Sequence, residues 1–217
     1  MHEIAHSVLP GELVFDVGAH TGNKSEWFLS RGARVVAVEP QPINAEALRI
    51  RFAGNTNITI VEKGLSERPG TMTMHVNEAA SVLSTFSDRW MTGRFKDHGH
   101  VWGENIEVEM TTLDELVREH GVPRYAKIDV EGHEKQVMLG LSQRIGALSL
   151  EFTKEFIDDA RDLIWYARAL GYKNFNLSLG ESDDFTLQTW ASADGLIEQL
   201  KAVCAADADA WGDIYCC

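Results

Sequence analysis

Apolar positions along the first part of the chain follow two alternating patterns. Short apolar runs cover 13–17, 34–38 and 57–61, and residues with helical spacing follow the first two runs, ending near Gly32 and Phe52. Such runs are typical of buried parallel strands, and the 3.6-residue spacing is typical of helices packed against them. Alternation of strand and helix at this spacing predicts a parallel sheet with right-handed crossovers.

The alternation changes and then resumes in the second half of the chain. Further segments of strand composition lie at 71–76, 106–110, 125–130 and 147–152. The first of them is predicted to be an antiparallel excursion, and a helix follows each of the other three. Thr112 and Glu115 fit a capping box at the start of one helix. Residues 172–177 and 185–190 are predicted to pair as a closing hairpin, followed by a helix at 192–204 and a short tail.

Residues 77–105 show no clean period. They carry four aromatic side chains, namely Phe86, Trp90, Phe95 and Trp102. A loop of this length is uncommon inside a compact domain, and its aromatic content argues against disorder. We predict a cover over the substrate site with a short helix near 88–94. Because neither a linker nor an internal repeat is found, residues 1–217 are predicted to form one domain with this segment as its lid.

The stretch from Leu13 to Gly22 predicts a strand, a glycine turn and a helix. Gly18 and Gly22 permit close approach of a ligand to the backbone. A dinucleotide site normally has G-x-G-x-x-G, whereas this turn reads D-x-G-x-x-x-G with Asp16 as its acid. A carboxylate here would repel a phosphate and would suit the ammonium and sulfonium groups of S-adenosylmethionine. The pattern therefore favours a methyl-donor site, with the alternative that Asp16 is a structural acid.

Other residues at the same edge of the predicted sheet complete this candidate site. Glu39 ends the second strand about twenty residues past the glycine turn, where an acid commonly binds a ribose. Gly64-Leu65-Ser66 follows the third strand, and Ser66 or the Leu65 backbone could contact adenine; an ordinary turn is the alternative. The predicted cofactor-binding residues are Asp16, Gly18, Ala19, His20, Thr21, Gly22, Glu39, Gly64, Leu65 and Ser66.

The densest polar cluster runs from Lys127 to Glu134. Asp129 is expected at the carboxyl end of a strand, with Glu131 and His133 on the turn beyond it. These three predicted catalytic residues could serve as a general base for a hydroxyl, or Asp129 and Glu131 could bind a divalent metal such as Mg²⁺. The alternative is structural, with Lys127 and Asp129 paired in the sheet and His133 capping a helix.

Composition narrows the classes of function. A formal net charge of -13 argues against wide contact with nucleic acid or an anionic membrane. No apolar run reaches the roughly 18 residues of a membrane span, and the first residues lack the pattern of a signal peptide. Neither a zinc site nor a disulfide framework is expected from Cys204, Cys216 and Cys217. The expected location is a reducing cytoplasm.

Several ordered motifs together resemble the FkbM-type methyltransferase family. They lie at 15–22, 38–40, 111–114, 127–134 and 211–214, and the resemblance covers roughly residues 12–215. It implies an α/β class I methyltransferase (Rossmann-like) three-layer sandwich, in which a seven-stranded, mostly parallel sheet has an antiparallel last strand. It also implies S-adenosylmethionine as cofactor and O-methylation of a hydroxyl on a sugar, glycolipid or natural product.

The resemblance also assigns roles by position. The Asp16–Gly22 loop would hold the methionine part of the donor, Glu39 the ribose, and Asp129, Glu131 and His133 fall on the family's D-x-E-G-H run. Two other functions remain as alternatives. An NAD(P)-dependent oxidoreductase is disfavoured by Asp16 and by the lack of a Tyr-x-x-x-Lys pair. A non-catalytic donor-binding scaffold is disfavoured by the complete D-x-E-G-H run.

Overall fold

The computed structural model describes residues 5, 7–77, 79–92, 101–182 and 184–217. Strands and helices are numbered along this part of the chain. The strands are β1 (Leu13–Val17), β2 (Arg34–Val38), β3 (Ile58–Val61), β4 (Gly64–Leu65), β5 (Gly70–Val76), β6 (Glu104–Thr111), β7 (Tyr125–Ile128), β8 (Ala147–Thr153), β9 (Phe175–Leu179) and β10 (Trp211–Cys216). The α-helices are α1 (Asn23–Ser30), α2 (Pro42–Arg51), α3 (Asp88–Thr92), α4 (Leu113–His120), α5 (Glu134–Leu139), α6 (Ile157–Ala169) and α7 (Ala193–Ala206).

A seven-stranded sheet forms the centre of the molecule, with strand order β3-β2-β1-β7-β8-β10-β9. The β1, β2, β3, β7 and β8 strands pair in parallel, whereas β10 runs antiparallel to both of its neighbours. The prediction of a seven-stranded, mostly parallel sheet with an antiparallel last strand is confirmed. The carboxyl ends of β1, β2 and β7 consequently meet at one edge, where open α/β sheets bind ligands.

Alternate residues of the central strands pack against helices on opposite faces of the sheet. Val14 belongs to the apolar cluster that contains Phe28 of α1 and Leu48 of α2. Its neighbour Phe15 belongs to the larger cluster that contains Leu163 of α6. Because successive side chains of a strand point to opposite faces, two helical layers enclose the sheet. The predicted three-layer arrangement is confirmed.

One half of the predicted capping box is present at the start of α4. The Thr112 hydroxyl accepts a hydrogen bond from the Glu115 amide at 3.1 Å. The Glu115 carboxylate accepts from the Thr111 hydroxyl at 2.6 Å, rather than from the backbone amide of the capping residue. The helix therefore begins where the sequence predicts. The Glu115 carboxylate binds the Thr111 side chain in place of the backbone amide that a complete capping box would use.

A second, three-stranded sheet has the order β4-β6-β5. In it, β5 and β6 run antiparallel from Gly70↔Met110 to Val76↔Glu104. The predicted antiparallel excursion at 71–76 is therefore confirmed, and the strand predicted at 106–110 is its partner. Met74, Val108 and Met110 form a small core of their own beneath this sheet.

The predicted hairpin of 172–177 with 185–190 is wrong. Only its first strand is present, as β9, and 185–190 contains no strand. The partner of β9 is β10, which also pairs with β8 and thus satisfies backbone groups on both of its edges. Burial of Ile214 and Cys216, each 0% exposed, favours this segment as the inner strand. The segment predicted to be a short tail is therefore part of the central sheet.

The segment predicted to be a lid contains two short helices in its described part. A 3₁₀ turn covers Ser81–Leu83, and α3 lies where a short helix was predicted. Phe95 lies outside the described residues. Among the described helices, none combines the length and apolar character that crossing a membrane would require.

Candidate functional site

A cavity of about 120 Å³ lies at the carboxyl ends of β1, β2 and β7. Segments that are distant in sequence line it, among them the glycine turn, the end of β2, residues 63–65, the described part of the predicted lid, and the turn after β7. Its polar and aromatic lining includes His20, Glu39, Ser81, Ser84, Phe86, Asp129, Glu131 and His133. Of the other predicted site residues, Gly18, Gly64 and Leu65 also line it.

Gly18 brings the first turn directly against the end of β7. Its φ is +82°, and a Cβ atom at this position would lie 1.8 Å from the carbonyl oxygen of Asp129. Any side chain would force the two turns apart. The glycine therefore joins the predicted donor loop to the predicted catalytic turn.

Glu39 ties the glycine turn to the end of β2. Its carboxylate is buried and accepts hydrogen bonds from the His20 amide at 2.8 Å and the Gln41 amide at 2.9 Å. Burial raises the pKa of this carboxyl, and the backbone hydrogen bonds counter the rise only in part. Two of its acceptor positions are thus used to fix the loop, while the side chain still lines the cavity where a ribose is predicted.

Asp16 lies behind the glycine turn and does not line the cavity. Its carboxylate is 1% exposed and accepts a 2.6 Å hydrogen bond from the Ser25 hydroxyl of α1. Burial raises the pKa of Asp16 although Lys127, its partner in the register of β1 and β7, lowers it. The structure places this acid where it fixes α1 against β1.

Four of the remaining predicted residues also lie outside the cavity lining, namely Ala19, Thr21, Gly22 and Ser66. Gly22 serves helix packing, since a Cβ there would lie 2.6 Å from the Phe52 ring. The Thr21 carbonyl accepts from Arg51 at 2.6 Å, and the Ser66 amide donates to the Thr111 carbonyl at 2.9 Å. These contacts support the shape of the loops around the cavity.

Lys127 is a buried cation in the central strand β7. It donates a hydrogen bond to Asp129, whose side chain is 33% exposed. Burial alone would lower the pKa of Lys127, but the carboxylates of Asp129, Asp213 and Asp16 raise it above its usual value. The lysine is therefore charged, and it holds one oxygen of Asp129.

The turn after β7 is held in an unusual conformation. Glu131 has a φ of +55° and Gly132 a φ of +88°. The Glu134 carboxylate accepts from the amides of Val130 at 3.0 Å and Gly132 at 3.3 Å. The Thr85 hydroxyl donates to the Glu131 carbonyl at 2.6 Å from the other side. Both α5 and the predicted lid thus position this turn.

His133 is a buried imidazole that lines the cavity. It is 4% exposed, its ring centroid lies 5.4 Å from that of Phe86, and its Nε2 has no hydrogen-bond partner among the described residues. Burial lowers the pKa of His133 to about 4, so the imidazole is neutral at pH 7. Although it occupies the residue before α5, its side chain makes no capping hydrogen bond. The helix-capping alternative is therefore wrong.

Glu151 lies next to two acids of the site without lining the cavity itself, and it was not predicted from the sequence. One oxygen from each of Asp129, Glu131 and Glu151 lies within 4.8 Å of the others, and these could hold a metal ion. Burial raises the pKa of Glu151 well above its usual value, and the neighbouring carboxylates of Asp129 and Glu131 raise it further. A charge inside the apolar run 147–152 was the signal that could have revealed it.

The described part of the predicted lid is fastened to the donor side of the cavity. His20 Nε2 and Ser81 Oγ are hydrogen bonded at 2.8 Å. Gln41 donates from Nε2 to the Ser81 carbonyl at 3.0 Å and accepts from the Ser84 hydroxyl at 3.2 Å. Three short-range contacts therefore join this segment to the ends of β1 and β2.

The seven-stranded sheet of this order, with a glycine turn after β1 and an acid after β2, has the class I methyltransferase fold. The particular family follows from the sequence: residues 16–173 match the Methyltransferase FkbM domain, and the chain belongs to this family of S-adenosylmethionine-dependent methyltransferases. The predicted family is confirmed. Membership favours the methyltransferase prediction over the nicotinamide-dependent alternative.

Solved structures resemble the chain in fold. Fibrillarin from Aeropyrum pernix, solved with bound S-adenosyl-L-methionine, has a TM-score of 0.51 and 11% identity over 96% of this chain and 67% of that one. Precorrin-6y C5,15-methyltransferase from Geobacter metallireducens has a TM-score of 0.49 and 11% identity over 98% of this chain and 83% of that one. A search of curated protein sequences finds no match. At such identities the likeness concerns the fold alone.

Proposed function

We propose that the protein transfers a methyl group from S-adenosylmethionine to a hydroxyl oxygen of a small acceptor. The observation that carries the proposal is His133, a buried and neutral imidazole whose Nε2 has no described partner, in the cavity that Glu39 also lines. Methylation of a hydroxyl gains from a base because alcohols lose their protons reluctantly. An acceptor that is already a good nucleophile would not need one.

The residues around the cavity fit the donor by charge and by hydrogen-bonding capacity. Glu39 offers carboxylate oxygens to ribose hydroxyls, and Asp129 and Glu131 give the other end of the cavity a negative potential that suits a cationic group. Because Gly18 has no side chain, the glycine turn and the turn after β7 can lie in direct contact. When bound, S-adenosylmethionine supplies a methyl group on a positively charged sulfur.

The chain's own residues would position the acceptor and take its proton. Nε2 of His133 would accept the hydroxyl proton while the acceptor oxygen takes the methyl group that bound S-adenosylmethionine would supply, with the neutral thioether as leaving group. Lys127 keeps one oxygen of Asp129 in place, and Thr85 and Glu134 fix the turn that carries these groups. Orientation supplies much of the rate.

The acceptor is proposed to be a hydroxylated small molecule, such as a sugar, a glycolipid or a natural product. Phe86 of the predicted lid lines the cavity and offers an apolar ring to such a ligand. A net charge of -13 disfavours a nucleic-acid acceptor, because phosphate contacts require basic residues. Acceptor choice is accordingly assigned to the lid and the turn after β7.

Two measurements test the proposed function. Calorimetry is expected to detect binding of S-adenosylmethionine but not of NAD, and Glu39→Gln is expected to weaken donor binding. The second measurement incubates the protein with labelled donor and a panel of hydroxylated, amine and RNA acceptors. Label on hydroxyl oxygen supports the proposal. Label that appears only on amines or carbon would overturn O-methylation and leave methyl transfer standing. Label that appears only on RNA would overturn the small-molecule acceptor.

A further inference from the structure

We propose that Asp129, Glu131 and Glu151 bind a hard divalent cation, Mg²⁺ or Mn²⁺, beside the donor cavity. One oxygen of each carboxylate lies within 4.8 Å of the other two. The three acids come from the turn after β7 and from β8, so the topology of the parallel sheet brings them together. The catalytic part of the proposal rests on the proposed function, whereas cation binding itself does not.

Glu151 differs from Asp129 in how its charge is compensated. Lys127 binds Asp129, but Glu151 Oε2 is buried and has no hydrogen-bond partner among the residues that the structure describes. Asp213 lies opposite Glu151 in the register of β10 and β8, which adds a further carboxylate. Carboxylates this close repel each other, and a divalent cation compensates that repulsion.

His133 gives a second, independent indication that this cavity receives a polar ligand. The residue is 4% exposed, it lines the cavity together with Asp129 and Glu131, and its Nε2 lacks a described hydrogen-bond partner. Buried polar atoms are normally hydrogen bonded, so an exception in a cavity marks a place where a bound group is expected. An acceptor hydroxyl held by the cation would be that group.

The chemistry of the ligands selects the kind of cation. Three carboxylates offer only oxygen, which Mg²⁺, Mn²⁺ and Ca²⁺ prefer, and waters or the acceptor would complete the coordination. Such a cation would polarise a coordinated hydroxyl and lower its pKa, so that His133 takes the proton more readily. With this site, the proposed O-methylation would use a cation to polarise the acceptor hydroxyl in addition to His133 as its base.

The test is a calorimetric titration of chelator-treated protein with MnCl₂, in the absence of donor and acceptor. We expect saturable binding of one Mn²⁺ per chain, and Glu151→Gln is expected to weaken it by about tenfold or more. Glu181→Gln removes an exposed glutamate elsewhere and is expected to leave binding unchanged. Absence of saturable binding to the wild type, or equal affinity in Glu151→Gln, overturns the proposal.

A second variant and a second ligand separate the explanations. If circular dichroism shows that Glu151→Gln is misfolded, Glu131→Gln decides: tenfold weaker Mn²⁺ binding supports the site, and unchanged binding rejects it. The same chelator-treated protein is titrated with S-adenosylmethionine. Donor binding without Mn²⁺ binding rejects only the cation site. Mn²⁺ binding without donor binding supports the cation site and rejects the donor site.

Discussion

Burial decides what His133 can do. The side chain is 4% exposed, and burial lowers its pKa to about 4. The His133 imidazole packs against the ring of Phe86 and is neutral at pH 7. In the tautomer that carries its hydrogen on Nδ1, Nε2 is free to accept a proton. Asp129 is less suited to take a proton because Lys127 already donates to it.

Replacing His133 with Asn should therefore remove most of the methyl transfer while leaving donor binding intact. Loss of a positioned base typically costs about 10²–10⁴ in rate. The measurements are turnover with labelled donor and calorimetry with S-adenosylmethionine. His120→Asn, at the end of α4 and outside the cavity lining, is the matched control and should keep full turnover. Equal turnover in the two variants would exclude His133 as the base.

A side chain at Gly18 would have two effects, a backbone cost and a steric collision, and comparison with another glycine separates them. Gly18 and Gly54 have nearly the same φ, +82° and +79°, but a Cβ on Gly54 meets no described atom within 4 Å. An Ala at either position bears the cost of a left-handed backbone, roughly 1–2 kcal/mol. Only Gly18→Ala should add a collision with the Asp129 carbonyl and so weaken donor binding. Urea unfolding and donor calorimetry check this, and equal effects at both glycines would contradict it.

At the scale of elements, the turn after β7 depends on contacts from outside its own βα unit. The Thr85 hydroxyl donates to the Glu131 carbonyl at 2.6 Å and accepts from the Ser87 amide at 2.9 Å. Trp90 of α3 lies over Gly132, where an added Cβ would meet its ring at 2.9 Å. The described part of the predicted lid thus acts on the shape of the turn as well as on the cavity.

Thr85→Val should lower turnover several-fold, because at nearly constant volume it removes the hydrogen bonds to the Glu131 carbonyl and from the Ser87 amide, each worth about 1 kcal/mol. Donor affinity should change little, since the residue does not line the cavity. Thr73→Val is the matched control, because its hydroxyl donates to Glu107 on the exposed side of the small sheet. A fall in donor affinity without a fall in turnover would mean that Thr85 acts on the donor side instead.

The sequence predicted those elements whose signals are local. β1 and β2 match the predicted 13–17 and 34–38 to the residue, because glycine turns bound short apolar runs at both ends. The pairing of β9 with β10 was missed, since 185–190 has strand composition and lies nearer in sequence. The contacts of Ser81 with His20 and of Glu151 with the turn after β7 depend on tertiary structure, and no local pattern encodes them.

At the scale of the whole molecule, the described residues bury more carboxyl groups than cations in and beside the central sheet. Burial raises the pKa of five acids, namely Asp16, Glu39, Glu134, Glu151 and Asp213. Two histidines, His20 and His133, act in the opposite direction because burial lowers their pKa values. Stability should therefore depend on pH through opposing groups, and single variants are needed to separate them.

Glu134 offers the clearest case, because its pKa rises from an ordinary 4.5 to about 7, burial being the largest cause. Between these values the folded protein binds more protons at this group than the unfolded chain does. Its contribution to stability is therefore fully present below about pH 4.5 and is lost as pH rises through about 7. Glu134→Gln keeps an oxygen acceptor for the Val130 and Gly132 amides but removes the titration.

We therefore expect the free energy of unfolding of the wild type, relative to Glu134→Gln, to fall between pH 5 and pH 8. Urea unfolding at several pH values, with chelator present to exclude cation binding, measures this difference. The exposed variant Glu181→Gln should follow the wild type in parallel at every pH. A constant difference between wild type and Glu134→Gln would show that Glu134 titrates normally in the folded protein. A rising difference would mean that the amide hydrogen bonds outweigh burial and hold the carboxylate ionised.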